Sequence, residues 1–103
     1  MADSEKIFHK IITQLPNGIE GNFFAAKCIK STNGKTAAFL WKGNMIFKLD
    51  KQSQLDALNL DDSKIGTHLY APEKQMKGWI LIPAKHSNKW SYFAKQAIKY
   101  INK

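Results

Sequence analysis

Two apolar runs joined by a short turn stand at the centre of the chain. Residues 34–41 and 45–50 each have the length of a β-strand, and Lys42-Gly43-Asn44 between them has the composition of a hairpin turn. Apolar residues occupy consecutive positions in both runs, so both faces of the hairpin are largely apolar. We therefore expect helices on one face and at least partial cover on the other. One face of the first strand is expected to carry Ala37, Phe39 and Trp41.

Apolar residues at helical spacing predict three helices. The first spans residues 3–15, and its apolar side consists of Ile7, Phe8, Ile11, Ile12 and Leu15. The second spans residues 50–60, with Asp50 as its N-cap and with Leu55 and Leu58 facing inward. The last spans about residues 87–101 and carries one apolar stripe: Trp90, Phe93, Ala94, Ala97, Ile98 and Ile101.

Three further strands are predicted from shorter apolar patterns. They cover residues 21–30, 65–70 and 79–82, and residues 71–74 are expected to form a loop. The resulting order is helix, three strands, helix, two strands, helix. It predicts a single α+β domain over residues 1–103, in which helices cover an antiparallel sheet.

Length and cysteine content narrow the class of protein. The chain has 103 residues, no apolar run near the length of a membrane span, and no signal segment at its N-terminus. Its single cysteine, Cys28, excludes an internal disulfide framework and fits a reducing compartment. We therefore expect a cytoplasmic protein that does not contact membranes.

The charge balance is the strongest global feature of the sequence. All 16 basic residues are lysine, against 8 acidic residues, which gives a net charge of +8. Such an excess attracts nucleic acid or an acidic partner. The chain has no arginine, the residue best suited to specific base or phosphate recognition. It also has no valine, and a lysine bias of this kind is typical of an AT-rich genome, so both explanations of the charge stay open.

No catalytic or metal-binding motif is present. The three histidines lie in different predicted elements without the spacing of a zinc site, and the six glycines form no phosphate-binding loop. Cys28 has neighbouring lysines but no base nearby in the sequence. We therefore predict no enzyme activity, no metal and no cofactor.

Several blocks of the sequence match a known pattern: residues 34–41 with 45–49, Tyr70, residues 75–86, and Trp90 with Ala94 and Ala97. Through these blocks the chain resembles the N-terminal domain family of TfoX, the bacterial competence regulator. The resemblance implies a secretion-chaperone-like α+β fold, α-β-β-β-α-β-β-α, which is also similar to the MmcQ/YjbR group.

The chain departs from the family in two respects. The Met-Phe-Gly common near the family's first strand is replaced by residues 22–25, Asn-Phe-Phe-Ala. The C-terminal domain of the full-length regulators has no counterpart either, so a competence role is not expected to carry over.

These observations lead to one main functional hypothesis and two alternatives. The main hypothesis is a stand-alone, non-enzymatic module that binds nucleic acid or an acidic protein through lysines beside aromatic side chains. Its candidate site residues combine charge and aromatic surface within the matched blocks: Lys77, Trp79, Lys48, His86 and Trp90. One alternative is a homodimeric, chaperone-like interaction protein. The other is a small-molecule or enzymatic role that uses Cys28 or His86.

Overall fold

A six-stranded antiparallel sheet in the order β1-β2-β3-β4-β6-β5 forms the frame of the protein. The computed structural model describes residues 3–15, 18–23, 26–68 and 71–101, and only the backbone for residues 3, 4, 22, 23, 26, 67, 68 and 71–77. The strands are β1 (Gly18–Phe23), β2 (Ala26–Ser31), β3 (Thr36–Trp41), β4 (Asn44–Lys48), β5 (Lys64–His68) and β6 (Ala71–Ile82). The helices are α1 (Asp3–Gln14), α2 (Lys51–Leu58) and α3 (Trp90–Ile101), and a 3₁₀ helix (Ala84–Lys89) precedes α3.

The α+β class and the helix-covered antiparallel sheet agree with the prediction. The central hairpin is confirmed, since β3 pairs with β4 through Phe39 opposite Ile46 and Leu40 opposite Met45. Its two-residue loop has positive φ at both Lys42 and Gly43, the geometry whose twist matches paired strands. The order of elements follows the expected one with one strand added.

The added strand is β1. In place of one predicted strand over residues 21–30 the structure has two, and β1 pairs antiparallel with β2 from Gly18 opposite Ser31 to Phe23 opposite Ala26. Residues 24 and 25 of the predicted strand lie outside the described part. The pattern of β1, Gly-Ile-Glu-Gly-Asn-Phe, is weak because glycine and asparagine are poor strand formers. As an edge strand, β1 needs pairing on one side only.

Strand β6 is also longer than predicted. It begins at Ala71, whereas residues 71–74 were expected to form a loop because of Pro72. Within β6, residues 79–82 pair with β4, and among the described strands the first half of β6 pairs with β5. A proline is tolerated at such an edge, where no second strand needs its missing N–H.

All three helices pack on the same face of the sheet. The whole apolar stripe predicted for α3 is buried there, together with Phe8 and Ile11 of α1, Leu15 directly after α1, and Ala57 of α2. The sheet contributes Ile29, Ala38, Met45, Phe47, Ile80 and Ile82 to this core. No helix in the described part of the chain combines the length and apolar character needed to cross a membrane.

Helix α2 begins where predicted, but the side of the helix that is buried differs from the predicted side. Asp50 is its N-cap, and the Asp50 carboxylate accepts a hydrogen bond from the Ser53 amide at 2.8 Å. The inward orientation expected of Leu55 and Leu58 is wrong, because their side chains are 53% and 40% exposed. The buried side of α2 carries Ser53 and Ala57, so the helix meets the core through small side chains.

An extra residue in β3 alters the predicted faces of that strand. Ile29 pairs with Ala38, but the next residue of β2, Lys30, pairs with Thr36, so Ala37 is left over as a bulge. Ala37 therefore packs with the helix-side core, and its expected position beside Phe39 is wrong. Phe39 and Trp41 do share the opposite face, as predicted.

Candidate functional site

The sheet face opposite the helices carries a second apolar cluster. Cys28, Phe39, Ile46 and Leu81 are buried in it, and Trp41 and Trp79 pack against it while remaining partly exposed. We call this side the open face, because the three α-helices contribute to the other core. Four different strands supply its side chains, so the face exists only once the sheet is assembled.

Each of the two tryptophans on the open face has a lysine over its ring. The ammonium nitrogen of Lys48 lies 5.5 Å from the ring centroid of Trp79, and that of Lys42 lies 5.2 Å from the ring of Trp41. Trp79 also packs against Phe39, with ring centroids 5.4 Å apart. A cation over an indole face is attracted by the ring quadrupole. The result is two matched aromatic and cationic pairs on one surface.

Among the side chains that the structure describes, four lysines border the open face: Lys30, Lys42, Lys48 and Lys64. Lys64 lies opposite Leu81 in the β5–β6 register, and cross-strand partners point to the same face. Lys30 lies two residues after Cys28, and its side chain crosses Gly21, where an added Cβ would be 3.1 Å from Lys30 Cδ. These lysines therefore give the open face a positive charge.

Two ion pairs lie away from the open face, Glu5 with Lys27 and Asp62 with Lys85. Glu20 also lies away from it, with a carboxylate oxygen 3.4 Å from His9 Nδ1. A hydrogen bond from Lys27 and its positive charge lower the pKa of Glu5, and Lys85 acts on the pKa of Asp62 in the same way. Glu5 and Asp62 therefore offset lysine charge on the helix side and in a loop, and they do not offset the charge of the open-face lysines.

Two glycines shape the backbone around Trp79. Gly66 of β5 packs closely against Ile46 and Trp79, because a Cβ at Gly66 would lie 2.8 Å from Ile46 Cγ2 and 3.4 Å from Trp79 Cβ. Gly78 has φ of +88°, where the β5–β6 register shifts and β6 contains extra residues. Its carbonyl accepts a hydrogen bond from the Leu49 amide at 3.0 Å. The backbone conformation at Gly78 therefore determines how β6 enters its pairing with β4, where Trp79 lies opposite Lys48.

The five predicted site residues lie in different parts of the structure. Lys48 and Trp79 are cross-strand partners on the open face. Lys77 lies two residues before Trp79 in β6, and its side chain is outside the described part. Trp90 is fully buried in the helix-side core, where its indole N–H donates to the Ile82 carbonyl at 3.0 Å. His86 lies in the 3₁₀ helix, with Nε2 2.9 Å from the Asp61 carbonyl oxygen, and is not part of the open face.

Trp41 is a further candidate residue that the sequence prediction does not include. The available signal was its position two residues after Phe39 in a strand, directly before a lysine. This position of Trp41 indicates a binding surface only where no helix covers the same face of the strand. The sequence pattern of the hairpin alone does not show which of its two faces the helices cover.

The alternative based on Cys28 or His86 gains no support from the geometry. Cys28 is buried, and burial raises the pKa of its thiol even though the charge of Lys30 acts in the opposite direction. Its thiol is therefore protonated near neutral pH, which is unfavourable for a nucleophile. Two grooves beside α3, of about 460 and 320 Å³, are lined by neither Cys28 nor His86.

Comparison with known proteins found no match. No family model, no curated protein and no solved structure matches the chain. The resemblance to the TfoX N-terminal domain family therefore stays a prediction.

Proposed function

We propose that this protein is a non-enzymatic module that binds nucleic acid on the open face of its sheet. The observation that carries the proposal is the presence of two tryptophan–lysine pairs, Trp41 with Lys42 and Trp79 with Lys48, on the sheet face opposite the described helices. An indole offers a stacking surface to a base, and an ammonium group beside it offers a contact to phosphate.

An acidic protein partner is supported less well by the same face. The carboxylates of an acidic protein would contact the lysines, but such a partner does not offer the two partly exposed indoles the flat rings of nucleic-acid bases. A nucleic acid can contact the lysines through its phosphates and the indoles through its bases. The use of lysine throughout the chain favours phosphate contacts that do not depend on base sequence, because specific base readout relies largely on bidentate side chains.

The homodimeric alternative covers pairing through the sheet or through the last helix, and the version that uses the last helix has less support. A dimer built on the last helix would need an apolar stripe available at the surface of α3. The stripe of α3 is buried in the core of the same chain, and two of its exposed large side chains are Tyr92 and Tyr100.

The test is fluorescence-anisotropy titration of labelled oligonucleotides at about 50 and 200 mM salt. The double variant Lys42→Glu/Lys48→Glu is compared with Lys95→Glu/Lys99→Glu, whose lysines are exposed on the outer side of α3. Both variants change the net charge by the same amount. We expect wild-type binding to weaken with salt, the open-face variant to lose roughly tenfold or more in affinity, and the α3 variant to lose much less.

Two results would contradict the proposal. Absence of binding at low salt would show that the lysine excess does not serve nucleic acid. An equal loss in both double variants would show that binding follows net charge and has no location on the open face.

A further inference from the structure

We infer that the ligand is an unpaired strand that crosses the sheet with one base stacked on Trp41 and another on Trp79. This inference rests on the proposed function and names its substrate. A duplex presents phosphates outside and base edges in its grooves, so its base faces are not available to a flat sheet. Only an unpaired strand can place base faces on the two indoles.

The sheet register sets the separation of the two indoles. Trp41 lies opposite Asn44, and Trp79 lies opposite Lys48, on the two strands that flank β4. Four residues along β4 and two strand spacings place their Cα atoms about 16 Å apart. A stacked strand advances about 3.4 Å per nucleotide, so roughly five steps, or fewer in an extended strand, connect the two bases. We therefore expect a site of about four to six nucleotides.

The same geometry predicts an exchange of contacts on binding. Each ammonium group covers one face of an indole, at 5.2 Å for Lys42 and 5.5 Å for Lys48 from the ring centroids. A base that stacks on that face displaces the ammonium, and the phosphate of the bound strand is its nearest new partner. Stacking energy and charge neutralisation are therefore supplied by separate side chains, which can be changed separately.

The experiment measures tryptophan fluorescence and anisotropy with oligothymidylates of about 2 to 12 nucleotides and with a duplex of about 12 base pairs. The chain has three tryptophans, and the buried Trp90 supplies a signal that stacking does not quench. We expect quenching by the single strand, an affinity that rises up to about six nucleotides, and duplex binding at least roughly tenfold weaker. Trp41→Leu and Trp79→Leu are each expected to lose part of the quenching and roughly 5- to 150-fold in affinity.

A second variant separates stacking from charge and covers the case in which a tryptophan variant fails to fold. Lys42→Met/Lys48→Met keeps the side-chain stems and removes both ammonium groups. It is expected to keep the quenching at saturation, to bind more weakly, and to lower the slope of log affinity against log salt by about 1.4.

The outcomes distinguish the inference from the proposed function. In one outcome, duplex and single strand bind equally well, neither quenches the fluorescence, and Lys42→Glu/Lys48→Glu still weakens binding. This outcome would overturn the inference and leave the proposed function standing. Quenching at saturation that is lost in the methionine variant would also overturn it. Absence of binding to both oligonucleotides would overturn both.

Discussion

Three tryptophans with the same chemistry have different environments in this protein. Trp90 is fully buried on the helix side, and its N–H is bonded to the Ile82 carbonyl. Trp41 and Trp79 lie on the open face, partly exposed and each beside an ammonium group. The difference comes from the element and the face on which each residue falls. A tryptophan beside a lysine in the sequence can therefore contact a ligand only where the fold leaves part of its ring at the surface, as for Trp41 and Trp79.

Cys28 gives a test at the scale of one residue. Its thiol is buried and its pKa is raised by desolvation, so its contact with solvent needs local opening. We expect alkylation by iodoacetamide at about pH 8 to be at least roughly tenfold slower in the native protein than in denaturant. Native and denatured rates of similar size would contradict the placement of Cys28 inside the open-face cluster.

Helix α2 illustrates how a local signal can be correct while its packing is not. The carboxylate of Asp50 satisfies an amide in the first turn, and this contact defines where the helix begins. The two leucines expected to face inward point outward, because the side of α2 near the core carries Ser53 and Ala57. The helix has few apolar side chains to bury, so its N-cap is expected to matter for its stability.

A change at the N-cap tests this role. Asp50→Ala is expected to lower the free energy of unfolding by about 1 kcal/mol, because the Ser53 amide loses its acceptor. Asp50→Asn is the matched control and should retain most of the stability, since asparagine caps helices as well as aspartate does. Urea denaturation of the three proteins measures the difference. An equal loss in both variants would show that the charge of Asp50, and not its capping bond, is what stabilises the protein.

At the scale of the whole molecule, the distribution of charge matters more than its total. The ion pairs of Glu5 and Asp62 connect α1 to β2 and the α2–β5 loop to the 3₁₀ helix. The four lysines of the open face have no part in these pairs. Lys30, Lys42, Lys48 and Lys64 therefore place part of the net charge of +8 on the sheet face opposite the described helices.

The two ion pairs predict a dependence of stability on pH. The pKa values of Glu5 and Asp62 are lowered in the folded protein from reference values of 4.5 and 3.8. Their contribution is therefore complete above those reference values and is lost as the pH falls through the lower folded values. We expect Glu5→Gln/Asp62→Asn to lose less thermal stability than the wild type between about pH 7 and pH 3, and by a small margin because both pairs are exposed. Thermal melts at the two pH values measure this, and identical losses would contradict it.

Several features of the fold are predictable from local patterns. The helical stripe of α3, the β3–β4 hairpin and the N-cap of α2 each depend on residues close together in the chain. The weak strand β1 and the first half of β6 are not predictable in this way, because glycine, asparagine and proline oppose the strand locally. Pairing with β2 and with β5 overcomes that opposition.

Sequence alone determined the class of fold, the central hairpin, the apolar side of α3 and the excess of lysine, because each depends on local periodicity or on composition. Only the tertiary structure decided which side of the sheet the helices cover and that Lys48 and Trp79 meet there. It also decided that Ala37 bulges to the other side and that Trp90 is enclosed. The physical reason is that a strand exposes side chains on two faces, and distant segments determine which face is buried.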